Sequence, residues 1–235
     1  PEIYQILKYL RQRWPEIKIK ITTSGSFLEL KQVELLKKME AVELNISLNA
    51  PAPEERVFLM NDSNPENVFK LIPELKRNQI DFEASIVSMH QLQGFSYLKR
   101  TFDFLETYTP KSLRVFMAGF SSYADKNLIT DSSEYDRLAE FISDKKMRYS
   151  YPIIIEPQRF SSLQAEVNAV LADSAAAAAG LKSGDIILKV NDEKVESRVD
   201  AFYKIKSAQN PELLFGRGEE KRSVTLSKAK NQSSG

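Results

Sequence analysis

The apolar positions switch repeatedly between a helical and a strand-like period. Ile3, Ile6, Leu7 and Leu10 fall at helical spacing, and Pro15 closes that segment. Ile17, Ile19 and Ile21 then alternate as a strand does. Residues 27–39 read as a helix, and Val42, Leu44, Ile46 and Leu48 share one face of a second strand. Ser63-Asn64-Pro65-Glu66 combines a cap residue, a proline tolerated in the first turn and a glutamate at capping-box distance. The helix it opens is predicted to reach about Arg77, bent at Pro73. A third strand at 81–88, a helix at 95–108 and a fourth strand at 112–117 follow. Asp131-Ser132-Ser133-Glu134 starts a helix ending near Lys146, and 152–155 reads as a short last strand.

Strand and helix alternate at roughly the 30-residue spacing of a βαβ unit. Parallel strands with crossover helices are therefore expected, as a barrel or as a doubly wound sheet. Both architectures place ligands at the carboxyl ends of the strands. Those ends carry Thr22-Thr23-Ser24-Gly25, Ser47-Leu48-Asn49, Ser88-Met89-His90 and Ala118-Gly119, which are mostly small or polar. Past Glu156-Pro157 the character changes. Residues 165–171 alternate like a strand, Asp173-Ser174 caps an alanine-rich helix stopped by Gly180, and 186–190 is a strand turning at Asn191-Asp192. A helix at 197–208 and a hairpin at 213–226 around Gly216-Arg217-Gly218 complete a small mixed-β domain. The predicted organisation is an α/β domain at 1–157, the mixed-β domain at 158–228 and a disordered polar tail at 229–235.

Composition narrows the function classes. A chain of 235 residues, 42% hydrophobic and 28% charged with net charge +1, is ordinary globular material. Nothing argues for a nucleic-acid surface, and no run is long and apolar enough to span a membrane. The absence of cysteine fits a cytoplasmic protein and leaves no thiolate ligand and no metal cluster to propose. The first residue is Pro1, so the chain is expected to be a piece of a longer protein. His90 is the sole histidine, at a strand end where proton transfer is conceivable; a histidine without an identifiable partner is more often structural, and no Ser-His-Asp set follows from it. The catalytic residues stay unassigned.

Two resemblances sharpen this picture. "VLADSAAAAAGLKSGDIILKVNDEKVESRVDAF" resembles a bacterial PDZ domain, with Gly180 as the helix stop and Gly184-Asp185 turning into the strand. The resemblance implies a C-terminal peptide partner added as a strand, in a groove between residues 165–170 and the 197–208 helix. Its carboxylate would sit near Ser161, Ser162 and Leu163, where the family's usual glycine is missing. The first domain is similar to the later part of a radical S-adenosylmethionine (SAM) enzyme. "PEIYQILKYLRQRWPEIKIKITTSG" resembles the helix and strand that follow that family's GGE motif, and "VELNISLNAPAPEERVFLM" the next strand with its Pro-Glu-x-Arg segment. "IPELKRNQIDFEASIVSMHQL" matches the helix and strand after that.

The family implies a partial parallel βα barrel and an oxidoreductase-like parent of unknown substrate. Such a parent cleaves SAM reductively at a 4Fe-4S cluster held by C-x3-C-x2-C. Carried over residue by residue, the SAM-binding positions are Thr22, Thr23, Ser47, Asn49 and Arg56, the last as a bidentate clamp for the carboxylate. A solvated arginine on a helix surface is the other reading of Arg56. The cysteine triad and the GGE motif are absent, so the cofactors belong to a longer parent and the chain as it stands is expected to be inactive. The rival reading is a non-catalytic scaffold that recruits partners through its PDZ domain.

Overall fold

The computed structural model describes residues 2–39, 42–119 and 132–228. Asp131 and the tail predicted at 229–235 lie outside the described residues. The chain divides into two compact units, Pro1–Glu156 and Pro157–Gly235.

The first unit runs α1 (Glu2–Arg13), β1 (Ile19–Thr23), α2 (Leu30–Lys38), β2 (Val42–Ser47), α3 (Pro53–Met60), α4 (Glu66–Arg77), β3 (Phe82–Ser88), α5 (His90–Tyr108), β4 (Leu113–Met117), α6 (Ser132–Lys145) and β5 (Ile153–Glu156). Among the described residues its strands form one parallel sheet in the order β1-β2-β3-β4-β5. Order in space follows order in sequence, so there is no reversal of the kind that defines a doubly wound sheet. Right-handed crossovers repeated in one direction put every helix on the same face. The core bears this out: Val33, Leu71, Leu98 and Leu138 of the helices pack with Leu44, Ile46, Ala84, Ile86, Val115 and Ile153 of the strands. Of the two architectures expected from the sequence, this is the singly wound one, a sheet with the topology of a partial barrel.

Alternation then sends the intervening residues to the face without helices. These are Lys20 and Thr22 on β1, Glu43, Asn45 and Ser47 on β2, Glu83, Ser85 and Val87 on β3, and Arg114 and Phe116 on β4. One sheet thus has an apolar face packed by helices and an open face that is largely polar.

Two differences from the expected elements have local causes. α3 is an additional helix, with Pro53 in its first turn beside Glu54 and Glu55, both suited to a helix amino end. α5 starts at His90 rather than near Phe95, and is broken at Gly94, whose φ of 67° only glycine adopts freely.

The second unit comprises α7 (Ala175–Ala178), β6 (Ile186–Val190), β7 (Glu193–Lys194), α8 (Arg198–Ser207), β8 (Glu212–Arg217) and β9 (Glu220–Thr225), with an antiparallel sheet ordered β7-β6-β8-β9. Ser174 caps α7 through its hydroxyl, which accepts the Ala177 N–H at 3.1 Å. The strand expected at 165–171 is reduced to a bridge between Glu166 and Ile186. Ile187 donates to the Ala165 carbonyl and Val167 to that of Asp185. β6 begins only at Ile186, so a partner strand stops where the segment passes Val167. The core of this unit gathers Ala176, Leu181, Ile187, Val190, Leu213 and Phe215.

Candidate functional site

The site is built where β1 and β2 end. Gly25 has a φ of +78°, and a Cβ placed there would meet Val68 Cγ2 at 2.9 Å, so both backbone and packing demand glycine. The turn it makes lies against the amino end of α4. Asn67 Nδ2 donates to the carbonyls of Gly25 (2.7 Å) and Leu28 (2.9 Å), and Asn64 Nδ2 to that of Ser26 (2.8 Å). Thr23 points toward the helix side, and its Oγ1 accepts the Gly25 N–H at 3.1 Å. That is a strand-end turn, so the structure engages Thr23 in the fold. Thr22, one residue earlier, is exposed on the open face.

Arg56 occupies neither position expected of it. It is neither a solvated surface arginine nor an open carboxylate clamp, because it is wholly buried at the head of α3. Its Nη1 donates to the Ser47 carbonyl at 2.9 Å and also to that of Leu48, and its Nη2 to the Ser24 carbonyl. Nε pairs with Asp62, which also accepts from the Ser26 hydroxyl at 2.7 Å. One guanidinium therefore ties the ends of β1 and β2 together. Burial pushes the Asp62 carboxyl up, but the Asn64 N–H, the Ser26 hydroxyl and Arg56 outweigh it and hold the group below the usual carboxylate range. This burial has a physical consequence. A guanidinium desolvated to this degree is retained only when its donors are satisfied within the protein, which leaves none facing a ligand.

Asn49 is likewise committed. It stands at φ 58°, and its Oδ1 accepts the Val87 N–H at 2.7 Å, joining the end of β2 to β3. Ser47 differs. Its hydroxyl lies on the open face, 3.4 Å from that of Ser85 on the neighbouring strand. Of the positions carried over from the resemblance, Thr22 and Ser47 share the open face, whereas Thr23, Asn49 and Arg56 build the frame.

Around Thr22 and Ser47 the open face holds groups the sequence reading did not single out: Asn45, Ser85, Arg114 and a Lys20–Glu83 ion pair. The signal was present, because polar residues alternate with the apolar ones in VELNIS and FEASIVS. Two polar atoms there, Asn45 Oδ1 and Arg114 Nε, are buried without a hydrogen-bond partner. Buried polar groups ordinarily have one, so this face is chemically unfinished.

His90 has partners after all. Its Nε2 is 2.9 Å from Glu134 and its Nδ1 is 2.8 Å from the Ser88 hydroxyl. A carboxylate only accepts, so Nε2 carries the proton and Nδ1 accepts from Ser88. The arrangement has the connectivity of a Ser-His-acid set, but Ser88 is 1% exposed, closed off from solvent. The ring stacks on Phe95 with centroids 4.8 Å apart. Burial lowers its basicity and Arg137 adds to that, against the opposite pull of Glu134.

In the second unit a cleft of about 120 Å³ lies between the segment around Val167 and Ala169 and the α8 side chains Phe202 and Ile205. Leu163 is exposed, and its carbonyl accepts the Arg198 N–H at 2.9 Å, which places residues 161–163 at the amino end of α8.

Residues 22–115 match the radical SAM-like domain family and residues 166–215 match the PDZ domain family. The chain joins a radical SAM-like domain to a PDZ domain. Among solved structures it is similar to SuiB of Streptococcus suis, including SuiB bound to S-adenosylmethionine, at 19% identity and a TM-score of 0.56. The match to SuiB bound to its precursor peptide SuiA has the same identity and score. These alignments cover 66% of this chain and about a third of SuiB (35–36%), so the chain spans only part of that enzyme's length. At this identity the likeness shows the fold. No curated protein matches the chain.

An iron–sulfur cluster does not fit these residues. Thiolates hold such clusters, the sequence has no cysteine, and no group of three metal-binding side chains stands together among the described residues. Among the described residues no helix is long and apolar enough to cross a membrane.

Proposed function

We propose that the radical SAM-like domain is the part of a radical SAM enzyme that cradles SAM and contacts a substrate of unknown identity, with the cluster supplied from outside these residues. The observation that carries this is the open polar face, where Asn45 and Arg114 keep buried polar atoms without partners beside Thr22 and Ser47. Thr22 and Ser47 offer uncharged hydroxyls suited to an amino or ribose group. Arg56, Asn49 and Thr23 act as positioning residues that fix the two strand ends. Amide spectra recorded during SAM titration test this. Shifts concentrated at residues 22–25 and 47–49, and reduced in Ser47→Val, support the reading; shifts scattered elsewhere, or none at saturating SAM, overturn it.

For the PDZ domain we infer peptide binding in the cleft beside α8. Its support is an apolar hollow flanked by the extended segment at Val167 and Ala169, with Ser161, Ser162 and Leu163 near a helix amino end that favours a carboxylate. A fluorescent peptide with an apolar C-terminus should bind, and Phe202→Asp should abolish binding. Equal binding by the variant would remove the cleft from the account.

A further inference from the structure

A second concavity in the PDZ domain is assigned to nothing above. It measures about 500 Å³ and lies largely on the side of the antiparallel sheet that faces away from the core. Ile186, Leu188 and Leu214 form its floor, all half-buried, whereas the core-facing Ile187 and Leu213 are buried. Three lysines, Lys189, Lys194 and Lys221, stand among its lining residues. Leu163 adds an exposed apolar wall.

The lysine arrangement is the informative feature. Lys189 is the direct cross-strand partner of Lys194 in the β6–β7 pair. Like charges facing each other across antiparallel strands destabilise the pairing. The acid in the lining, Glu196, reaches Lys194 at 3.3 Å. Among the described residues neither Lys189 nor Lys221 has an ion pair. Glu166, bridged to Ile186, lies outside the lining, on the far side of β6 from Lys221's strand. An anion seated between Lys189 and Lys194 relieves a repulsion the fold otherwise carries, and the apolar floor beside it accepts a hydrocarbon chain. The volume is within the usual range of small-ligand sites, roughly 300–1,000 Å³.

We propose that this groove binds a soluble amphipathic carboxylate of medium chain length, head group between Lys189 and Lys194 and chain along Ile186, Leu188 and Leu214. Occupant charge and occupant length are separate requirements. A polar anion alone finds no floor, and an uncharged chain leaves the lysine repulsion in place.

The test is calorimetric titration of the whole chain with decanoate, decanol and acetate, each below any micelle concentration. Decanoate should bind saturably, acetate not at all, and decanol up to about fivefold more weakly than decanoate, since an exposed charge pair contributes up to ~1 kcal/mol. A Lys189→Gln/Lys194→Gln double variant should lose about the same factor for decanoate, while melting no lower than the parent without ligand. Leu188→Asp, at a half-buried position, should abolish binding with the fold retained. Equal affinity for decanol and decanoate, or unchanged decanoate binding in the double variant, overturns the proposal. Loss of binding in Phe202→Ala with retention in Leu188→Asp also overturns it, because the ligand would then occupy the cleft beside α8.

Discussion

In the radical SAM-like domain both members of an arginine–aspartate pair are buried; in the PDZ domain only the carboxylate is. Arg56 is fully enclosed and spends its donors on Asp62 and on backbone carbonyls from two strand ends. Asp185 is 1% exposed, accepts the Lys182 N–H at 2.8 Å, and is met by Arg217, whose side chain stays partly in water. Both pairs fasten a turn containing a positive-φ glycine, Gly25 in one and Gly184 in the other. The difference lies in what each holds. Arg56 joins two strands, α3 and a turn at the carboxyl ends of a parallel sheet, where ligands bind. Asp185 closes one local turn.

The largest effect should come from Arg56→Ala. Removing one member of a buried pair leaves the other charge uncompensated, at a cost of about 3–5 kcal/mol, read as a shift in denaturant midpoint of the first unit alone. A loss below about 1 kcal/mol would show that Arg56 is not the clamp described. Asp185→Ala should cost less, ~1–3 kcal/mol, and should lower only the transition of the PDZ domain. Equal or reversed effects would break the contrast between the two pairs.

A change of pH sharpens the contrast further. Asp62 and Asp185 both have folded values held below those of the free side chain: burial works against them, but their hydrogen bonds and arginines prevail. Their contributions are present above about pH 3.9 and are lost as pH falls through the folded values. His90 acts earlier. Its folded value lies below 6.5, chiefly through burial, so the unfolded chain binds the proton first and stability declines as pH drops from about 6.5 toward that folded value. His90→Gln should flatten this window in the first unit and leave the PDZ domain's acid response unchanged, as followed by thermal melts between pH 7 and 5.

The smallest effects separate adjacent threonines. Thr23→Val removes the bond to the Gly25 N–H and should cost about 0.5–1.5 kcal/mol. Thr22→Val should leave stability unchanged and weaken SAM binding.

Alternation made the helices and strands of the first unit legible, since Val42, Leu44 and Ile46 already declare which face is apolar. The complementary set, Glu43, Asn45 and Ser47, was equally readable, and it is the set that lines the open face. What the sequence hid was the fate of polar side chains at the strand ends. Thr22 and Thr23 look alike in the chain, and only the pleat decides that one faces the site and the other caps a turn. Arg56 reads as a carboxylate clamp or a solvated surface residue until Asp62, Ser26 and three carbonyls, brought together from distant segments, are seen around it. The Ser88–His90–Glu134 array was hidden for the same reason, because Glu134 lies 44 residues away in sequence. The segment at 165–171 alternates like a strand but lacks a partner along most of its length.

The open face of the parallel sheet is proposed here as half of a SAM-binding site. Its most direct test is the chain extended upstream of Pro1, reconstituted anaerobically with iron and sulfide, reduced and supplied with SAM. A cysteine triad is expected in that extension, with release of 5′-deoxyadenosine lowered at least tenfold by Ser47→Val. An extension without the triad, or a loaded cluster that releases no 5′-deoxyadenosine, would contradict it.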